Sequence, residues 1–228
     1  MRESLLHHAG FRRFFAGQLV SLLGSSMAPV ALAFAVLDAS GRRTGDLGVV
    51  LAARMVPLLV FLLIGGATAD RLSRRTVLVA ANLGSALTQG AVAALLLTGH
   101  YALLPVAGLE LLNGILAAFT TPALRGLLPE LVGKSRLRQA NALLGSVRNA
   151  TKILGPSASG LLVVAAGGGP ALAFDALTYL VAAGCLARLP LAAGTPPRSA
   201  SLLADIREGW AEFRRIRWVC AGTLSFFA

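Results

Sequence analysis

Gly66-Ala67-Thr68-Ala69-Asp70-Arg71-Leu72-Ser73-Arg74-Arg75 joins two long apolar runs, Leu47 to Ala69 and Thr76 to Thr98. A bilayer core about 30 Å thick needs about 20 helical residues at about 1.5 Å each, and both runs reach that length. The charged stretch between them therefore reads as a tight turn at a membrane surface. Gly66 permits close helix approach. Asp70 is placed to pair with arginines or to meet a helix N-terminus. Arg71, Arg74 and Arg75 hold the turn on the cytoplasmic side.

Moving outward, four further runs have the same length: Phe14 to Leu37, Leu103 to Ala123, Ala140 to Ala166 and Ala171 to Leu189. Composition agrees, with 56% apolar residues, only 14% charged and a mean hydropathy of +0.73. A soluble domain, with about 25% charged residues, has no means of hiding that much apolar surface. Arg12 and Arg13 ahead of the first run, and Ala33-Phe34-Ala35 near its end, resemble a cleaved secretory leader, but the run is too long and five spans follow it.

The net charge of +11 and the pI near 11.4 suggest nucleic acid until position is considered. Arg2, Arg12 and Arg13, then Arg71, Arg74 and Arg75, then Arg125, Lys134, Arg136 and Arg138, then Arg188 fall in alternate connecting segments, and the intervening ones carry Arg42 and Arg43. The positive-inside rule puts both ends of the six-span unit in the cytoplasm of a multi-pass inner-membrane protein. No nucleic-acid partner is needed to explain the charge.

Beyond Pro196-Pro197, Leu203, Ile206, Trp210 and Phe213 recur at helical spacing among charged residues, which predicts an amphipathic cytoplasmic helix. A seventh apolar run starts at Trp218 and has room for about 16 Å of helix, roughly half a bilayer core. The expected organisation is a cytoplasmic N-terminus at 1–13, a transmembrane domain at 14–189, a central loop at 190–217 and the start of a truncated helix at 218–228.

Several chemistries are disfavoured. Cys185 and Cys220 lie in apolar runs, and His7, His8 and His100 lie at chain or helix ends, so neither a disulfide nor a metal site is expected. Gly133-Lys134-Ser135 lacks the first glycine of a phosphate-binding loop, since Leu128 stands there. The sequon Asn149-Ala150-Thr151 falls inside a span. No nucleophile, base and orienter occur together, so no catalytic residue, cofactor or enzyme activity is expected.

The 66–75 stretch, with its Gly, three residues, Asp-Arg, two residues and a basic pair after the second of six spans, resembles the signature loop of the major facilitator superfamily, with Ser73 at the usual second glycine. Leu51-Ala52-Ala53-Arg54-Met55-Val56-Pro57, Pro122-Ala123-Leu124-Arg125 through Leu128-Pro129-Glu130-Leu131-Val132, Gln139-Ala140-Asn141-Ala142-Leu143 and Glu208-Gly209-Trp210 resemble its drug and siderophore exporters, the branch of the enterobactin exporter. The resemblance covers the N-terminal half and the central loop. It implies an all-α integral membrane fold: a six-helix transmembrane bundle built as a 3+3 inverted repeat. It also implies alternating access driven by an ion gradient, with protons the expected ion, a drug or siderophore-like substrate and efflux the expected direction. The rival expectations are a truncated, non-transporting fragment and a half-transporter completed by a C-terminal half or a second copy.

Gly155-Pro156-Ser157-Ala158-Ser159-Gly160 is similar to the antiporter element of the superfamily, with Ser159 where a glycine is expected. Gly155, Pro156 and Gly160 equally fit a kinked packing helix. Ionisable residues within spans are functional candidates because the bilayer penalises them. Arg54 and Glu110 each lie about seven residues into helices that start outside, at similar depth, and are positioned to pair. Arg148 and Lys152, four apart and aligned with Gly145, Gly155 and Ser159, mark a small cationic face toward a central cavity, suited to an acid-bearing substrate unless Glu110 or Asp175 approaches. Snorkelling or a structural ion-pair network explains them as well. Glu110-Leu111-Leu112-Asn113-Gly114 stands where related proton-coupled exporters carry Arg, two residues, Gln-Gly, so the role of that arginine does not transfer. A carboxyl against apolar walls suits reversible protonation. The expected pathway residues are Gln18, Ser25, Arg54, Asn82, Glu110, Asn113, Arg148 and Lys152; the expected gate is Gly66, Asp70, Arg71, Arg74 and Arg75.

Overall fold

The computed structural model describes residues 9–69 and 73–189, with side chains except at 62–69 and 134. Asp70, Arg71, His7, His8, Cys220, the expected amphipathic helix and the seventh apolar run lie outside the described residues. Six helices account for the rest: α1 Ala9–Ala39, α2 Thr44–Ala69, α3 Arg74–Leu97, α4 Leu103–Val132, α5 Leu137–Ala166 and α6 Gly168–Ala187, with a 3-10 turn at Lys134–Arg136. All six expected spans are helices.

Two boundaries move for physical reasons. The first helix is already formed at Ala9, ahead of Phe14, and Phe11 is as buried as Phe14 and stacks against Phe15. The fourth continues past Ala123 to Val132, through Pro122 and Pro129. Prolines are tolerated there because surrounding groups re-satisfy the freed backbone, and Leu127 and Leu128 are buried in the core at that end. Gly133, with φ of +71°, then ends the helix, and its N–H donates to Pro129 O. Gly167, at φ +88°, makes the turn from α5 to α6 in the same way.

Among the described residues α1, α2, α3, α4 and α6 are each long and apolar enough to cross a membrane. α5 is equally long, at 30 residues, and more polar because Arg138, Arg148 and Lys152 lie along it. The apolar side chains that face outward, such as Leu87, Leu104, Ile153, Leu161 and Val164, are what a lipid-facing surface requires. This is a membrane helical bundle.

Small residues let the helices approach, as expected where lipid offers no hydrophobic drive for association. Gly17 of α1 lies against Cys185 of α6, Gly24 against Thr178 and Asp175, and Gly168 of α6 against Ala31 and Ala35. The Gly17, Gly24, Ala31 spacing of seven residues makes one seam against an antiparallel partner. Gly114 of α4 lies against the backbone of Arg54 on α2, and Gly155 of α5 against Ser26 on α1.

The neighbour pattern has an internal symmetry. α2 packs on α4 as α5 packs on α1, α3 packs on α4 as α6 packs on α1, and α3 packs on α6. Exchanging 1 with 4, 2 with 5 and 3 with 6 maps this pattern onto itself. α1, α3 and α5 run one way and α2, α4 and α6 the other, so the exchange also inverts direction. Three helices followed by their inverted repeat produce this relationship.

The core divides along the bundle axis. One apolar cluster, at the end that carries the start of α1, includes Phe11, Phe14, Leu78, Leu127 and Leu186. A second, at the opposite end, includes Leu32, Val50, Val92, Val106 and Leu172. Along α3, α4 and α6 the residues between the two clusters include buried Ser85, Gln89, Glu110, Asn113, Asp175 and Thr178.

Candidate functional site

This polar layer is built by helical register. Ser85 and Gln89 lie one turn apart on α3, Glu110 and Asn113 on α4, and Asp175 and Thr178 on α6, so each helix turns a polar pair inward. Arg54 of α2 joins them, its Nη1 3.3 Å from Glu110 Oε2, with side chains 17% and 0% exposed respectively. The pairing expected from depth alone is present.

From Glu110 a run of hydrogen bonds crosses the bundle. Asn113 Nδ2 donates to Thr88 Oγ1 at 3.1 Å and to Gln89 Oε1 at 3.5 Å. Gln89 Nε2 donates to Asp175 Oδ2 at 3.1 Å, while Thr178 Oγ1 donates to the Asp175 backbone O at 2.7 Å and lies 3.4 Å from Asp175 Oδ1. Beside it, Ser25 Oγ donates to the hydroxyl of Tyr179 at 3.1 Å. Glu110 Oε1 and Asn113 Oδ1 are buried and have no hydrogen-bond partner among the described residues. Buried polar atoms are nearly always satisfied, so two on adjacent turns need a reason.

The other expected pathway residues divide. Gln18 and Arg148 meet in a cleft of about 170 Å³ between α1, α4 and α5, which Thr121, Arg125 and Asn141 also line. Lys152 is exposed on α5. Asn82 is buried and its Nδ2 donates to Leu78 O of its own helix at 2.8 Å. The expected small cationic face on α5 divides: Gly145 and Arg148 line that cleft, while Gly155 packs on Ser26 and Ser159 Oγ donates to Met27 O at 3.0 Å, which seats that part of α5 on α1. Arg148 and Lys152 flank that seam and stay exposed. Glu110 and Asp175 join the layer with Arg54, and among the described residues neither makes a salt bridge to Arg148 or Lys152.

At the end that carries the start of α1, the described part of the 66–75 loop ties helices together. Ser73 caps α3 by accepting from Thr76 N, which explains a serine where the signature has glycine. Arg74 Nη1 donates to Gly126 O at 2.7 Å and to Glu130 Oε1 at 2.6 Å, and Arg75 donates to Ala187 O. Gly66 lies within α2, and Asp70 and Arg71 are outside the described residues. Pro156 and Gly160 both lie inside α5, and a Cβ at Gly160 would meet open space.

Sequence reasoning left Gln89, Thr178 and Thr88 unassigned and considered Asp175 only as a neighbour for α5. Two signals were available. Asp175 is an acid within an apolar run, and Asn82, Ser85 and Gln89 share one face of α3 at intervals of three and four.

The family described as transmembrane secretion effector matches residues 4–224. The chain is similar to Multidrug efflux pump Tap of Mycolicibacterium fortuitum, with 35% identity over 201 residues that cover 82% of this chain and 47% of that one. It is similar to the uncharacterized MFS-type transporter YfiS of Bacillus subtilis, with 28% identity over 95% of this chain and 52% of that one. Macrolide efflux protein A of Streptococcus pyogenes is 26% identical over 95% of this chain and 55% of its own length. The chain spans about half the length of these curated relatives.

Proposed function

The chain belongs to the transmembrane secretion effector family of major facilitator transporters, and on that premise we propose that it forms the N-terminal half of a proton-coupled exporter of a drug or siderophore-like molecule. The observation that carries this reading is the buried Arg54–Glu110 pair in a polar layer between two apolar cores. An ion pair inside a bilayer-spanning bundle is expensive, and its usual use is on a substrate or ion path. The relatives named for efflux of drugs and macrolides support the direction.

Alternating access here is rocking of this unit against a second six-helix unit, supplied by a C-terminal half or a second copy. Gln18 and Arg148, with Lys152 nearby, receive the acid-bearing part of the substrate; Arg54, Glu110 and Asn113 handle the proton. The loop at 66–75 acts as the gate, supported by the reach of Arg74 and Arg75 across to α4 and α6. Gly155, Pro156 and Gly160 give α5 its pliancy. The arginines gathered at the end that carries the start of α1 support a cytoplasmic N-terminus in the cell membrane.

The test is Glu110→Gln in a full-length family member with the same stretch, assayed in inverted vesicles energised by a proton gradient. Gradient-driven substrate accumulation is expected to vanish while membrane insertion is unchanged. Accumulation at the wild-type rate overturns the proton role.

A further inference from the structure

The hydrogen bonds of the polar layer all point one way. Asn113 donates to Gln89 and Gln89 donates to Asp175 Oδ2, so this oxygen is supplied as a carboxylate acceptor. At the other end two acceptors, Glu110 Oε1 and Asn113 Oδ1, face no donor although both residues are fully buried. They lie three residues apart on one face of α4, near enough for side chains to meet. A single hydrogen between them satisfies both.

Charge leads to the same count. Among the described residues the ionisable groups facing Glu110 and Asp175 are Arg54 from α2 and Tyr179 from α6. α1 and α3 contribute Ser25, Thr88 and Gln89, all neutral, and the cations of α5 are exposed. One guanidinium against two carboxylates leaves a net negative charge, and an uncompensated buried charge is strongly unfavourable. One proton brings the cluster to neutrality.

We propose that Glu110 and Asp175 hold one proton between them, with the orientation of the Asn113–Gln89 amide pair matched to whichever acid carries it, which makes Asp175 a second proton-binding residue. In one arrangement Glu110 is protonated at Oε1 and donates to Asn113 Oδ1, and the two amides pass their donors on to Asp175 as carboxylate. In the other, both amides are turned over. Asn113 Nδ2 then donates to Glu110 as carboxylate, Gln89 Nε2 donates to Asn113 Oδ1, and Gln89 Oε1 accepts a hydrogen from protonated Asp175. Each arrangement holds one carboxyl proton and one carboxylate against Arg54, so the proton count and the zero net charge are the same. The proton lost by Glu110 goes to water, and the one gained by Asp175 comes from water. The oxygens that link Glu110, Asn113, Gln89 and Asp175 each meet a hydrogen in both arrangements, and in the second Thr88 gives up the hydrogen bond it accepts from Asn113. The use of this exchange in transport rests on the proton-coupled reading above.

Infrared spectroscopy of the purified chain in lipid nanodiscs at neutral pH tests it, because exposed carboxylates are then ionised and a buried protonated carboxyl has its own C=O band. The wild type is expected to show one such band per chain, and Glu110→Gln and Asp175→Asn are each expected to lose it, since either leaves one acid matched to Arg54. A band that survives in either variant overturns the sharing, as does its absence from the wild type. Should a variant fail to fold, carbon-13 labelling of glutamate or aspartate in the wild type decides: each label is expected to shift part of the band, and a band that follows one label alone overturns the proposal. Efflux is not read in this experiment. A band confined to glutamate ends the sharing and leaves proton-coupled efflux standing, whereas gradient-independent efflux by a protein that shows the shared band ends the coupling alone.

Discussion

The guanidinium of Arg74 stands 2.6 Å from the carboxylate of Glu130 and joins the first turn of α3 to the last turn of α4. Both side chains are partly exposed, at 31% and 49%, so their attraction is worth at most about 1 kcal/mol. The same Nη1 also donates to Gly126 O at 2.7 Å, and a hydrogen bond to a charged group contributes about 1.5 to 3 kcal/mol.

Arg74→Ala is therefore expected to lower the thermal unfolding midpoint in detergent more than Glu130→Ala, because it removes the carbonyl contact as well as the ion pair. Equal losses would show that the carbonyl contact contributes nothing. Gly126→Ala provides a cross-check, because its Cβ would overlap the Arg74 guanidinium and push it away from Gly126 O and Glu130.

The glycines of the bundle divide into two kinds that alanine substitution separates. A Cβ at Gly114 would run into the carbonyl oxygen of Arg54, a backbone atom that has nowhere to go without parting α2 from α4. Gly114→Ala is expected to destabilise by about 2 kcal/mol or more through overpacking. At Gly160, also inside a helix, a Cβ meets open space, and Gly160→Ala is expected to stabilise this unit by up to about 1 kcal/mol through helix propensity. Chemical denaturation of the two variants checks the order, and a loss at Gly160 would mean that a partner covers that face.

Tyr101, in the turn between α3 and α4, has its hydroxyl pushed up from 10.0 to about 12, first by burial and then by its hydrogen bond to Asp46. Both effects favour the neutral phenol in the folded state. The stability it contributes is fully present below about pH 10 and is lost as pH rises through about 12. The phenolate absorbance that Tyr101→Phe removes is expected to titrate near 12, and Asp46→Asn is expected to move that midpoint toward 10 without reaching it, since burial remains. A midpoint unchanged by Asp46→Asn would leave burial as the sole cause.

Much of the fold was legible because a bilayer restricts what a chain can do. With no water to hydrogen-bond the backbone, run length alone identifies helices, and all six expected runs are helical. The ends were less legible, since α4 passes through Pro122 and Pro129, residues that usually mark a stop. Arg54 and Glu110 were readable as partners because depth can be counted from the chain. Gln89 was only half readable: it shares a polar face of α3 with Asn82 and Ser85, but nothing in the chain says that this face meets α6. The α5 seam shows the converse: Gly155 and Ser159 share a helical face with Arg148 and Lys152, yet only contact with Ser26 and Met27 reveals that the small residues are spent on packing.

The way α1 is held has a consequence in time. Its main neighbours are α5 and α6, and Met27 waits 132 residues for the hydroxyl of Ser159. At a synthesis rate of about 5 to 20 residues per second, that delay is roughly 7 to 26 s. By the end of that interval α2, α3 and α4 have been made, while the glycine seam of α1 still lacks the α6 residues it packs against. The nascent chain thus has a window in which a membrane chaperone has something definite to hold, and a substitution in the seam at Gly17 or Gly24 would affect biogenesis before it affected the finished protein.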